Sequence, residues 1–485
     1  MIRNGLKILR NFRPYSPRLP CSVWPPRPLQ TGQGNARGLS AMFTARRSLL
    51  QLPARPELSK IVPKPPRGYQ SVNWYSSQAS REASLDTHVK IRSLSKDDSR
   101  RMVNVTWSDG TKQDYPFVWL LDNCFCTDCY HVESQCRLLP FDELDIDANP
   151  ESVETVNHGD TLRVSWNRHH HSDFNSDWLR PNRFDQAEPR DDALSALPTP
   201  KLWGAEIAQS LPRFEFQEVL SDDWALLDFL KAFHEFGIVK LERTPAEPNQ
   251  IPILAKRIGP MRETSFGLIQ PLRKGGYEVE DLGQDRALSY TTKALNLHND
   301  MSCLYETTCM AFFHCIIASD GKGGESIYSD GFHAAEMLRL ADPRAFRLLS
   351  TNQQEFRLVG AEPHVGDFDH RSHHFPIMLD HFGQLKAIHY STHARTPSLR
   401  MAVDDVKAMY SALQSFSKLL ESPENAYYVK LQKGDMVVVN NHRVLHGRTP
   451  FEDSNERYLE LGYVDWDHVT SRMRVLQNKL NSDKV

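Results

Sequence analysis

Two histidines and one carboxylate can hold a divalent metal on one face and leave its other positions open, the arrangement that suits non-haem Fe(II). The sequence offers such a set. His298 and Asp300 lie two residues apart in Leu295-Asn296-Leu297-His298-Asn299-Asp300, ahead of the apolar run Met310-Ala311-Phe312-Phe313. A lone histidine, His446, stands far downstream in Val444-Leu445-His446-Gly447-Arg448. A His-x-Asp triplet alone is a weak signal. The chain has twenty histidines and three such triplets. His158/Asp160 sits in turn chemistry and His171/Asp173 in a polar histidine run. Only the third leads into an apolar segment and has a distal partner set. In an extended stretch residues i and i+2 face one side, so His298 and Asp300 are expected to share an ion, with His446 entering from another strand. Three protein ligands leave three positions. A 2-oxo acid can fill two of them and dioxygen the third. 2-Oxoglutarate carries a second carboxylate that needs a fixed cation. Arg457, eleven residues after His446, is expected on the next strand, where it can clamp that group bidentately as lysine cannot.

A second constellation is built on cysteine. Cys124, Cys126 and Cys129 can set three thiolates around one ion, and a closed structural zinc site needs a fourth ligand. A histidine from the run 169–171 is the natural candidate and Cys136 competes with it. An iron–sulfur cluster fits less well, because a fourth thiolate at a familiar spacing is missing. Seven of the eight cysteines lie beyond residue 56, and four fall between Cys124 and Cys136. That clustering reads as a metal site, not a disulfide framework.

The elements that must position these groups come in two blocks. From about residue 86 short β-rich runs begin, with Met102-Val103-Asn104-Val105-Thr106-Trp107 leading into an Asp109-Gly110 hairpin turn. Phe117-Val118-Trp119-Leu120 continues this pattern, and Thr161-Leu162-Arg163-Val164-Ser165-Trp166 is another strand. A Pro- and charge-rich connection spans 186–215. After it, Ser221 is expected as the N-cap of a helix carrying Trp224, Leu227, Phe229, Leu230 and Phe233 on its apolar face and ended by Gly237. The remainder alternates short strands with turns, at 310–317, 326–329, 427–431, 436–440 and 457–464. Helices are expected at 332–341, at 403–421 with Val406, Met409, Tyr410, Leu413, Phe416 and Leu420 on one face, and at 468–480. Short strands with helices packed outside predict a mainly β fold, a double-stranded β-helix or jelly roll, preceded by a small β-rich zinc-binding domain.

Charge bounds the partners. The first 56 residues hold ten Arg or Lys and no acid, the composition of a mitochondrial transit peptide, and 57–85 reads as linker. Without that leader, 48 basic side chains face 61 acidic ones, a net charge of −13. That balance argues against a nucleic-acid partner. No apolar run is long enough to span a bilayer.

Taken together, His298-x-Asp300, His446 and Arg457 resemble the TauD-type Fe(II)/2-oxoglutarate dioxygenases, and most closely the branch containing γ-butyrobetaine and trimethyllysine dioxygenases. Further matching motifs are the Trp119–Cys129 segment, Phe313-His314-Cys315, Gly323-Gly324, Asp330-Gly331-Phe332, Asn441-His442-Arg443-Val444 and Asp465-Trp466-Asp467. The similarity runs from about residue 86 to the end. It implies domains at 86–185 and 216–485. It implies iron on His298, Asp300 and His446, 2-oxoglutarate on Arg457, and structural zinc on Cys124, Cys126, Cys129 and His170. Ascorbate is an accessory reductant to test for. The substrate expected is a small trimethylammonium acid held in an aromatic cage by cation–π contacts, with Phe266, Tyr290 and Tyr463 at cage positions. The chain departs from that pattern at three places. Gln270 replaces a cage tryptophan, Ser391 replaces an asparagine that orients the substrate's polar end, and Ala287 stands where Asp or Asn is usual. Those departures leave open a different small amine or acid as substrate. A non-catalytic metal-binding protein that kept the fold is the rival from outside enzymes. Tyr290 and Tyr463 as plain core aromatics, and a carboxylate or cosubstrate partner for Arg448, also stay open. The expected setting is the mitochondrial matrix and the expected assembly a homodimer.

Overall fold

Alternation of buried and half-exposed side chains builds the N-terminal module. The computed structural model describes residues 89–167, 170–184, 197–273, 288–362, 365–452 and 456–482. The leader and linker expectations, and Ala287, lie outside these residues. In the strand Met102–Trp107 the side chains of Val103, Val105 and Trp107 point inward at period two. It pairs antiparallel with Ile91–Asp97 and, across the Asp109-Gly110 turn, with Lys112–Pro116. A second antiparallel set, Ser152–Val156, Thr161–Ser165 and His171–Asn175, shares the core through Leu162, Val164 and Phe174. The stretch after Pro116 corrects the sequence expectation: Phe117–Asp122 is a short helix. Phe117 and Leu120, three apart, are both buried, a helical spacing that a single turn suffices to satisfy.

The C-terminal half begins earlier than expected. Trp203, Ile207 and Leu211 are buried, and Arg213–Glu215 joins the large sheet in parallel with Ile238–Glu242. Residues 197–215 are therefore part of this half and not a connection, anchored by the Trp203 Nε1 hydrogen bond to the Phe236 carbonyl at 2.6 Å. The helix Asp223–Phe236 follows. Its cap is Asp222, whose carboxylate accepts from the Ala225 N–H at 2.7 Å. Ser221 is not the cap, because the preceding short helix Phe216–Ser221 runs through it and its hydroxyl bonds back to the Gln217 carbonyl. Leu227, Phe229, Leu230 and Phe233 are buried, each worth roughly 1.5–3 kcal/mol, whereas Trp224 is exposed. Gly237 stops the helix at φ +70°, a left-handed conformation that favours glycine.

Two sheets form the barrel. The larger has six strands in the order Gln270–Arg273, Tyr458–Val464, Met310–Ile317, Met436–Asn440, Ile238–Glu242 and Arg213–Glu215. The smaller has four, in the order Leu295–His298, Val444–Arg448, Ser326–Asp330 and Ala426–Val429, all antiparallel. Met310–Ile317 is buried on both faces, which explains its nearly continuous apolar sequence, broken by His314. Helices Gly331–Ala341, Pro343–Thr351 and Val406–Glu421 pack outside the smaller sheet around Leu338, Leu349, Met409 and Phe416. Tyr410 leaves that face and is exposed, with the Arg395 guanidinium 5.2 Å over its ring.

One buried ion pair ties these layers together. Arg443 grips Asp330 through Nε at 3.0 Å and Nη2 at 2.7 Å. Nη1 donates to the Glu235 carbonyl at 2.9 Å, and Nη2 also to that of Lys201. Asp330 in turn accepts from the backbone of Phe332 and Trp203, so this buried pair has its hydrogen-bonding capacity filled on both sides. The C-terminal helix Trp466–Ser482 packs Val469, Met473 and Leu476 into the core formed with Leu230 and Phe233. Among the described residues no helix is long and apolar enough to cross a membrane.

Candidate active site

His298 and His446 stand opposite each other across the ladder between Leu295–His298 and Val444–Arg448. Close approach of these strands needs Gly447, where a Cβ would meet the Leu295 carbonyl at 2.6 Å. Asp300 arrives differently from the sequence expectation. The strand ends at His298 and Asp300 lies in the turn that follows, so strand alternation does not aim it. Two asparagines do. Asn299, buried, gives its amide to the Asn441 carbonyl at 2.6 Å and exchanges hydrogen bonds with the Tyr390 backbone. Asn441 accepts from the Asp300 N–H at 2.8 Å and donates to the Asp300 and Thr308 carbonyls. Asn299 is therefore more than a spacer between two ligands.

The result is a three-donor cluster whose ligand atoms all lie within 4.8 Å of one another. Nε2 of His298 is 3.4 Å from one Asp300 oxygen, and Nε2 of His446 is 3.4 Å from the other. His298 Nδ1 lies 2.9 Å from the Asn296 carbonyl oxygen, which can only accept. Nδ1 therefore carries a proton, and Nε2 is the nitrogen turned toward Asp300 and available to a metal. Burial opposes charge on Asp300, but the His446 and His298 imidazoles more than offset it and hold its carboxyl well below the usual range. Burial also pushes the His446 imidazole down, toward its neutral form. The Tyr463 hydroxyl donates to Asp300 at 3.0 Å, leaving one oxygen for a metal. A carboxylate and two imidazole nitrogens converging from one side fit the facial set for Fe(II).

A cavity of about 320 Å³ opens onto this cluster. Arg457 lines it from the residue before Tyr458–Val464, in the larger sheet's approach and not within a strand of the smaller one. Its guanidinium is buried, yet among the described residues it has no carboxylate partner. Burial lowers its pKa, which nearby Cys315 and Tyr328 only partly oppose. Arg448 also lines the cavity but is occupied. It donates to the backbone carbonyls of Ser289, Thr291 and Lys293 and stacks over Phe451 at 4.9 Å. It braces the segment carrying Tyr290, and no carboxylate partners it among the described residues.

The proposed substrate residues fall into two groups. Phe266, Gln270 and Ser391 line the cavity. Tyr290 instead accepts the Gln270 amide at 3.1 Å, and Tyr463 is engaged with Asp300. Leu358 and His393, neither marked by the sequence reading, line the cavity as well, with the His393 ring 4.7 Å from that of His298. Both come from segments that pack over the barrel, so no local motif announces them. Asn441 had a signal, in its place at the end of a strong strand pattern.

In the N-terminal module Cys124, Cys126, Cys129 and His170 form a second cluster, of four residues, with all donor atoms within 4.8 Å of one another. Nε2 of His170 lies 3.2, 3.4 and 3.5 Å from the three sulfurs. Cys136 is exposed and outside it, its thiol donating to the Ser134 carbonyl.

Comparison with known proteins agrees with this geometry. The family described as "Taurine catabolism dioxygenase TauD, TfdA family" matches residues 195–463. "Gamma-butyrobetaine hydroxylase-like, N-terminal" matches residues 94–181. Gamma-butyrobetaine dioxygenase of Homo sapiens is 31% identical over 79% of this chain and 97% of its own length. The enzyme of that name from Pseudomonas sp. (strain AK-1) is 31% identical over 77% and 94%. Mitochondrial trimethyllysine dioxygenase of Bos taurus is 29% identical over 75% and 82%. The chain belongs to the TauD, TfdA family and is an oxidoreductase of the 2-oxoglutarate-dependent dioxygenase class.

Proposed function

We propose that this dioxygenase hydroxylates a C–H bond of a small trimethylammonium acid of the γ-butyrobetaine or trimethyllysine kind, the chemistry of carnitine synthesis. Dioxygen gives one oxygen atom to the substrate and one to succinate, and 2-oxoglutarate loses carbon dioxide. Iron held by His298, Asp300 and His446 supplies the oxidising chemistry when bound. The protein's own contribution is positional. Asn299 and Asn441 fix the ligand turn, the Asn296 carbonyl sets the His298 tautomer, and Arg457 receives the distal carboxylate of 2-oxoglutarate. The observation that carries the reading is this buried guanidinium, without a carboxylate partner among the described residues and opening on the same cavity as the three-donor cluster. Phe266 and Tyr290 with Gln270 and Ser391 would receive the substrate.

The test is substrate-stimulated succinate release by the Fe(II)-loaded protein, with hydroxylated product identified by mass spectrometry. Release with neither γ-butyrobetaine nor trimethyllysine, but with another small amine or acid, moves the assignment to the second reading that Gln270 and Ser391 favour. No turnover of 2-oxoglutarate under any condition supports the non-catalytic alternative instead.

Three further readings belong to the same proposal. Burial pushes the Cys124 and Cys129 thiols up, so thiolates there need a cation, and structural zinc with His170 as fourth ligand supplies it. The acid-free leader supports delivery to the mitochondrial matrix, as the name of the trimethyllysine relatives suggests. A homodimer, with ascorbate sustaining the iron, follows from the family resemblance and is checked by light scattering and by ascorbate dependence.

A further inference from the structure

A second cavity, about 400 Å³, lies behind the wall of the first. The segment from Tyr390 to Arg395 forms the partition. Ser391, His393 and Ala394 line the active-site cavity, whereas Tyr390, Ser391, Thr392 and Arg395 line the second, so Ser391 belongs to both. The partition is also bonded to the ligand turn. Asn299 N–H donates to the Tyr390 carbonyl at 2.9 Å, and the Asn299 side-chain oxygen accepts from Tyr390 N–H at 3.2 Å.

The second cavity is rich in donors. Arg395 and Lys407 both line it, and neither has an ion-pair partner among the described residues. Arg395 lies over the Tyr410 ring, which fixes its plane and leaves its edge for an oxyanion. Gln354, 1% exposed, lines the same space, and its side-chain amide nitrogen has no hydrogen-bond partner among the described residues. A buried amide donor left unpaired is costly, and it calls for an acceptor. On the helix Val406–Glu421, Ser411, Gln414 and Ser417 also line the space, and none of them accepts from this amide. Two cations and one orphan N–H around a single space select a small anion over a neutral or cationic ligand.

We propose that this cavity is a second binding site, for a small carboxylate or phosphate held by Arg395, Lys407 and Gln354, and that its occupancy stiffens the partition behind the iron ligands. The site is distinct from Arg457, and the proposal does not depend on the substrate assigned above.

Two measurements test it, neither needing turnover. Inorganic phosphate and acetate are titrated separately into the full-length, Mn(II)-loaded protein by calorimetry, and again into its Arg457→Met variant, where binding that persists is not at the cosubstrate site. Saturable one-to-one binding of either probe is expected, and the tighter probe identifies the anion class. Lys407→Gln, on an exposed helix position, and Arg395→Gln should each weaken it at least tenfold. Hydrogen exchange of the Tyr390 and Asn299 amides should slow several-fold when the probe binds wild type, and should not change in Lys407→Gln. Equal binding in wild type and both variants, or no saturable binding of either probe, overturns the site. Unchanged exchange at Tyr390 and Asn299 with the probe bound overturns the coupling to the iron ligands.

Discussion

Arg457 should cost the empty protein stability and return it only when cosubstrate binds. Its guanidinium is 8% exposed and faces no anion among the described residues. A buried charge without a partner costs several kcal/mol in a dry interior, and replacing such groups by apolar residues is often stabilising by about 1–4 kcal/mol. The open cavity hydrates this one in part, so about 1–2 kcal/mol is the reasonable size here. Arg457→Met keeps the volume and removes the charge. For a domain of this size about 1 kcal/mol moves Tm by roughly 2 °C. The variant should therefore melt roughly 2–4 °C above wild type when no 2-oxoglutarate is present. Wild type with ligand at a hundred times its Kd gains about 2.7 kcal/mol, and should overtake the variant. The assay is thermal unfolding of both proteins loaded with Mn(II), which occupies the ligand set without turnover, across a 2-oxoglutarate series. Arg457→Lys keeps the charge but offers no paired donors, and should bind 2-oxoglutarate roughly tenfold to a hundredfold more weakly. A variant Arg457→Met that melts below wild type without ligand, or that gains as much as wild type from 2-oxoglutarate, refutes the account.

Other perturbations test the supporting structure. Asn441→Ala removes the bonds to both backbone ends of Asp300 and should lower Fe(II) affinity about 10–100-fold, read by metal titration, while the fold persists by circular dichroism. Cys129→Ala should empty the cysteine-rich cluster of zinc whereas Cys136→Ala should keep about one equivalent, measured by elemental analysis; equal loss in both would reject the four-residue assignment. Gln270→Trp should tighten binding of γ-butyrobetaine by about 1–2 kcal/mol, or roughly 5–30-fold in Kd, if a cage wall is what the position lacks.

Strong periodicity made much of this architecture legible. The strands at Met310–Ile317 and Met436–Asn440 and the helix ended by Gly237 announce themselves, because their burial follows the sequence pattern closely. The three-donor cluster was legible as residue types at a spacing, but the reason Asp300 joins the two histidines was not. Strand alternation predicts the right side for the wrong cause. The turn is held by Asn441 from a distant strand end, and a contact between residues so far apart leaves no local trace. Residues 197–215 misled for a related reason. Their Pro and charge content reads as connection, while the few apolar positions, Trp203, Ile207 and Leu211, carry the docking. At Phe117–Asp122 a six-residue run satisfies either period, and Pro116 at the helix start decides it. The substrate pocket was the least legible part, since Leu358 and His393 enter from segments whose sequences carry no chemical motif.

The pairing of His298 with His446 across one ladder has a consequence for how the chain matures. A slip of one residue between these strands turns every side chain to the opposite face, so one imidazole would point away from the barrel interior and the donor trio would dissolve. The same register buries Leu297 and Leu445 in one apolar cluster and is held by the five pairs between Val444–Arg448 and Ser326–Asp330, so apolar packing and assembly of the donor trio stand or fall together.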